Sequence, residues 1–174
     1  VAREAGLRGI GNLKTRQGMV ERLLFADESF DFVATRYSAH HWQDIRSALA
    51  EARRVLKKGA PAMFMDAFAP DNPLLDTFLQ TIEMLRDPSH VRDYALAEWA
   101  DMLREAGFEP APAIARKVRL EFASWIARMQ TKPVYAEAIR ALQVDMAQEV
   151  VSYFAIEADG SFMLDSMSIG AVAV

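Results

Sequence analysis

The sequence predicts an α/β domain with a mainly parallel sheet. Three observations carry that expectation. Short apolar runs of strand length alternate with longer stretches of helical period, an order that implies parallel strands joined by helical crossovers. The runs around Phe30–Ala34 and Ala62–Met65 are almost continuously apolar, as in strands covered on both faces. The composition, 52% hydrophobic and 25% charged over 174 residues, suits one domain with a real core.

Residues 1–6 read as the tail of a helix that ends near Gly6 or Gly9. Residues 12–17 alternate loosely and predict a short strand closed by Gly18. Residues 29–36 predict a better one, with Phe30, Phe32, Val33 and Ala34 in its core. Ile45, Ala48, Leu49, Ala52, Val55 and Leu56 share one face of a helix. Lys57 and Lys58 suit its negative end, and Gly59 suits the residue past it. Pro61 to Asp66 is the next strand. Asn72-Pro73 marks a helix start, a capping side chain followed by proline, and Asp87-Pro88-Ser89 an end. A helix carrying Trp99, Met102 and Leu103 stops at Gly107. A strand within 113–122, helices over 124–129 and 133–155, a turn at Asp159-Gly160 and a strand from Phe162 to Val174 complete the chain.

The bulk numbers exclude several classes. A net charge of -4 argues against a dedicated nucleic-acid binder. The absence of cysteine removes disulfides and thiolate metal sites. No apolar run approaches the ~20 residues of a membrane-spanning helix, and the first residues lack a signal-peptide pattern, so a cytoplasmic protein is expected.

In open α/β sheets ligands sit beyond the carboxyl ends of strands. Two such stretches stand out: Gly18-Met19-Val20-Glu21-Arg22-Leu23-Leu24-Phe25 and Arg36-Tyr37-Ser38-Ala39-His40-His41-Trp42. With Asp27-Glu28-Ser29-Phe30-Asp31 and Arg53-Arg54-Val55-Leu56-Lys57-Lys58-Gly59, they resemble the second half of a class I S-adenosylmethionine-dependent methyltransferase of the ubiquinone/menaquinone-biosynthesis type. Members usually read G-D-A-E-x-L-P-F, D-x-S-F-D, a strand ending near H-H, and R-V-L-K-P-G-G. Glu105-Ala106-Gly107-Phe108 matches the family's Ala-Gly-Phe helix ending. Met19, Leu24 and Ala60 depart from the pattern, Met19 standing where the family has an adenine-contacting aspartate.

The resemblance implies a Rossmann-like fold truncated at its N-terminal strands, a single methyltransferase-like domain over 1–174 with helical cap-like insertions at 67–106 and 123–155. It implies S-adenosylmethionine as cofactor, with Gly18, Met19 and Val20 along the adenine and Arg36 and Tyr37 near the methionine portion. His40 and His41 would face a small organic acceptor as catalytic residues. The family's glycine-rich loop and ribose-binding acid would lie before residue 1, so cofactor binding by this chain alone is expected to be weak or absent. A non-catalytic remnant acting as an oligomeric or partner-binding protein is the alternative. A sheet edge left bare by missing strands invites a second copy, so a homodimer is expected.

Plainer roles compete at each position. His40 and His41 can also be loop residues, one capping a helix and one packed. Asp66, ending a strand, can face the cleft or cap a turn. His90 reads as a surface or pocket-rim residue. No metal site is expected, because no carboxylate or histidine lies at ligand spacing and Asp44 suits a helix start. Glu21, Asp27, Glu28 and Asp31 read as solvated turn residues around Phe25 and Phe30.

Overall fold

The structure is a computed structural model that describes residues 2–174. Its elements are α1 (Ala2–Leu7), β1 (Val33–Arg36), α2 (Ile45–Val55), β2 (Pro61–Ala67), α3 (Pro73–Arg86), α4 (Leu96–Glu105), β3 (Phe108–Pro110), β4 (Ile114–Leu120), α5 (Phe122–Met129), α6 (Pro133–Asp145), α7 (Gln148–Tyr153) and β5 (Phe162–Ala173). A short 3-10 turn, Ala39–His41, follows β1.

The caps fall where the side chains dictate. Asp44 accepts from the Arg46 and Ser47 amides to start α2. Asn72 accepts from Leu74 and Leu75 ahead of Pro73 to start α3. Gly107 adopts φ 88 beyond α4 and Gly59 φ 75 beyond α2, a region open to glycine without a Cβ clash.

The α/β architecture with flanking helices holds, but the sheet among the described residues is mixed. Its order is β1-β2-β5-β3, with β4 also paired to β5. Only β1 and β2 run parallel; β5 is antiparallel to β2, β3 and β4. The chain makes a long helical excursion through α5–α7 and returns as β5, inserted between β2 and the β3/β4 side. At 12 residues β5 is long enough to pair with β3 and β4 in succession. The three-residue β3 escaped the sequence reading because Pro110 and its shortness mask any period.

Other expectations need correction at the front of the chain. Residues 12–17 form no strand; they are exposed and have no ladder partner among the described residues. The predicted strand 29–36 keeps only its last four residues in the ladder, with Phe30 making an isolated bridge to Leu56. It is also not buried on both faces: Phe32 is 52% exposed and Ala34 is exposed. Among the described residues β1 stands at the end of the strand order and has β2 as its one ladder neighbour. The predicted helix 133–155 is two helices. The chain extends at Met146 and Ala147, and α7 then points Val150 and Phe154 into the same core as Ile139.

Two apolar clusters result. One joins α2, α4 and the sheet through Leu49, Phe64, Trp99, Leu103, Phe108 and Ile169. The other joins α3, α5, α6 and α7 to the start of β5 through Phe78, Ile82, Trp125, Ile139, Phe154 and Phe162. The turn residues of 21–31 behave as expected: Phe25 and Phe30 meet edge to face at 4.9 Å, and Asp27 and Asp31 pair with Arg54 and Lys57.

Candidate functional site

β1 and β2 run side by side, so their carboxyl ends deliver Arg36-Tyr37 and Asp66-Ala67 to one place. Tyr37 leaves β1 with φ 47, rare for a residue bearing a Cβ, and its amide still donates to Met65 O at 2.8 Å. Its hydroxyl shares a hydrogen bond of 2.8 Å with Ser166 on β5. That sharp exit throws the chain into the 3-10 turn that carries both histidines.

Asp66 organises the turn. Its carboxylate accepts from the Ser38 and Ala39 amides at 3.1 and 2.8 Å, from the Ala67 amide at 2.9 Å, and from His40 Nδ1 at 2.5 Å. Asp66 is 1% exposed. An acceptor-only carboxylate makes Nδ1 the protonated nitrogen of His40 and leaves Nε2 as the other edge of the ring. Burial disfavours charge on His40. The Asp66 hydrogen bond and the charges of Asp66, Asp93 and Glu83 outweigh it, and the imidazole pKa sits above its ordinary value.

The segment between α3 and α4 folds over this turn. The Val91 and Arg92 amides both donate to His40 O, at 2.7 and 3.2 Å. Gln80 of α3 clamps the segment, donating to Asp93 O at 2.8 Å and accepting from the Asp93 amide at 3.0 Å and from His90 Nε2 at 2.9 Å. His90 is therefore buried, which corrects its reading as a surface or rim residue. Burial, with the His40 and His41 charges adding, lowers its pKa to about 4.

A cavity of about 450 Å³ opens here, within the range of small-molecule pockets. Its lining includes the polar side chains Arg36, Tyr37, His40, His41, Asp87 and Asp93 and the apolar Ala67, Leu120, Trp125 and Leu164. Glu83 on α3 also lines it, paired to Arg86 at 3.2 Å, while Arg86 stacks on Trp125 at 5.0 Å. Burial raises the pKa of Glu83 against the opposing pull of Arg86 and His40. Burial raises Asp93 well above the usual carboxylate range, and the nearby Glu83 and Asp66 carboxylates push the same way.

Four of the expected site residues thus meet at one cavity: Arg36, Tyr37, His40 and His41. His41 is the more peripheral histidine, its side chain 34% exposed and its Nδ1 donating to Ser89 O at 3.1 Å. Gly18, Met19 and Val20 do not line this cavity. Met19 to Arg22 close a tight turn, Met19 64% exposed, and Glu21 ties it to the start of α2 by accepting from Gln43 N at 2.9 Å. Asp66 proves to be the orienting partner of His40. The residues missed were Glu83, Asp87, Asp93 and Trp125. Glu83 was legible: it continues the buried stripe Leu75, Phe78, Leu79, Ile82 at helical spacing, and a carboxylate on an apolar stripe signals a polar cavity beneath. Asp93 lies in an irregular segment with no period to betray its burial.

A family model described as a methyltransferase domain matches residues 1–64. The chain is 46% identical over 171 residues to an uncharacterized protein, YafE, of Escherichia coli, covering 98% of this chain and 83% of that protein. It is 39% identical over 121 residues to an uncharacterized methyltransferase, YcgJ, of Bacillus subtilis, spanning 70% of this chain and 48% of that one. A demethylmenaquinone methyltransferase of Chlorobaculum parvum is 31% identical over 64 residues, 37% of this chain and 27% of that one. The crystal structure of the Bacillus YcgJ protein superposes with a TM-score of 0.93 at 32% identity, covering 99% of this chain and 76% of that one. The motif residues, the Rossmann-like fold and these relatives agree, and the chain belongs to the class I S-adenosylmethionine-dependent methyltransferases.

Proposed function

We propose that the chain transfers the methyl group of S-adenosylmethionine to a small organic acceptor bound in the cavity beside His40. One observation carries this reading. The cavity opens where β1 and β2 end, and the Arg36-Tyr37 exit and the His40–Asp66 pair stand on it together. Methyl transfer asks for little side-chain chemistry, since the sulfonium already activates its methyl group. The protein mainly aligns donor and acceptor and excludes water.

In this reading Gly18, Met19 and Val20 lie along the adenine, and Arg36 and Tyr37 flank the methionine portion. His40, fixed by Asp66, contacts the acceptor as a catalytic residue; His41 lies at the rim. The mixture of Trp125 and other apolar lining residues with polar ones suits a planar hydroxylated ring. The Chlorobaculum relative, named for demethylmenaquinone, points to the same class of acceptor.

Transfer of a labelled methyl group into a panel of quinols and naphthols is the test. His40→Ala should lower kcat/KM by roughly 100-fold, because a misplaced acceptor loses about that much, and His41→Ala by well under tenfold. Equal losses in the two variants, or none in either, would contradict the assignment.

The same proposal includes a two-fold dimer through the edge of β1 that has no partner strand among the described residues, where Phe32 is half exposed. Light scattering at micromolar concentration should give twice the chain mass. A mass of 19.5 kDa, unchanged on tenfold dilution, rules the dimer out.

A further inference from the structure

The segment over the cavity floor is rich in acceptors and short of donors. Buried side-chain atoms without a hydrogen-bond partner are Asp87 Oδ2, His90 Nδ1 and both oxygens of Asp93 in this segment, together with the donor Trp99 Nε1 on α4. The Gln80 oxygen that receives His90 Nε2 is an acceptor, so Nε2 carries the proton and Nδ1 presents a lone pair. The four orphaned atoms of this segment thus present lone pairs when the carboxyls are ionised. Buried polar groups in folded proteins are nearly always satisfied, and a cluster of orphans of one kind points to something that supplies the other kind.

We propose that this floor binds a divalent metal cation, with His40 and Asp93 as its protein ligands and Asp66 holding the His40 ring. One ligating atom from each of His40, Asp66 and Asp93 lies within 4.8 Å of the others. Two ligands about 2.1 Å from one ion sit at most about 4.2 Å apart, so the side chains must draw together to close the site. Asp66 already receives four donors, including His40 Nδ1 at 2.5 Å. It is thereby saturated and acts through the imidazole, as a carboxylate behind a metal-bound histidine commonly does. Asp93 is the opposite case: 2% exposed, its backbone clamped at both ends by Gln80, and its carboxylate without a single partner.

A nitrogen and a carboxylate together suit zinc or manganese better than calcium or magnesium, which favour oxygen alone. His40 and Asp93 both line the cavity, so an ion held between them would sit at its wall. There the ion would take an acceptor's hydroxyl oxygen as a Lewis acid and hold it toward the methyl donor. That use of the ion rests on the methyl-transfer reading; the binding itself does not.

The experiment is calorimetric titration of the metal-free chain with zinc and with manganese chloride, alongside Asp93→Asn and Asp66→Asn. One ion per chain is expected. Asp93→Asn should weaken binding at least 100-fold and Asp66→Asn by about 10- to 100-fold, the usual cost of losing the group behind a metal-bound histidine. Thermal unfolding without metal checks the fold: Asp93→Asn should be at least as stable as the parent, because it replaces a buried, unpartnered carboxyl by a neutral isostere. With metal present the order should reverse, the ion stabilising only the parent. No binding to the parent, or equal binding to parent and Asp93→Asn, would overturn the proposal. Ion binding without methyl transfer to any acceptor would leave the metal site standing and count against the methyl-transfer reading instead.

Discussion

Asp66→Ala is expected to destabilise the protein by about 3–5 kcal/mol, the range for removing one member of a buried, charge-assisted network. The carboxylate sits at 1% exposure and receives three backbone amides and one imidazole. Without it those donors have no acceptor, and each orphaned buried group costs about 1–3 kcal/mol. The 3-10 turn would relax toward solvent to hydrate its amides, taking His40 with it. Activity should therefore vanish at temperatures where the variant is still folded. Urea denaturation read by circular dichroism measures the first effect. A loss below about 1 kcal/mol would mean that the turn is held by its flanking strands, not by the carboxylate.

The second large effect lies in the sheet core. Phe64→Ala should cost about 3–5 kcal/mol, because it removes a fully buried ring and leaves a cavity. Phe64 is the middle of β2, paired on one side to Thr35 and on the other to Ile169. Its ring meets Phe108 edge to face at 5.5 Å and Trp99 at 6.1 Å. Phe32→Ala, one strand away, should cost under about 1 kcal/mol in a monomer, since that ring is half in water in the single chain, and more where the proposed dimer covers it. Parallel denaturant titrations decide between them. Comparable losses would mean that Phe32 is covered in solution, as it would be at a dimer interface.

The contrast between those phenylalanines shows what the sequence can reveal. Both lie in apolar runs, and local composition treats them alike. Their difference is topological: β2 acquires neighbours on both sides because β5 returns from more than 90 residues away, while β1 acquires only one. Nothing near residue 32 encodes that. The same non-local return made the sheet mixed, because an apolar run does not state its direction. Helices were the legible part, since caps such as Asp44 and Asn72 and stripes such as Ile45–Val55 are written within a single element.

The site divided along the same line. Arg36, Tyr37, His40 and His41 could be found because they follow a strand contiguously. Asp66 was half legible, as a polar residue ending a second strand whose pairing with the first was unknown. Asp93 was not legible: its burial depends on a loop docked onto the His40 carbonyl and clamped by Gln80, contacts between residues far apart in the chain. Glu83 could have been found, as a charge on an otherwise apolar helix face.

The central claim is that this cavity is the acceptor side of a methyl-transfer centre. It is tested most directly by a crystal structure of the protein with S-adenosylhomocysteine at millimolar concentration. The ligand is expected at the β1 exit beside Arg36 and Tyr37, its sulfur facing the cavity, with room for an acceptor atom about 3–3.5 Å from the position of the transferred methyl carbon. A ligand seated elsewhere, one whose sulfur turns away from His40, or an exit that stays empty would contradict it.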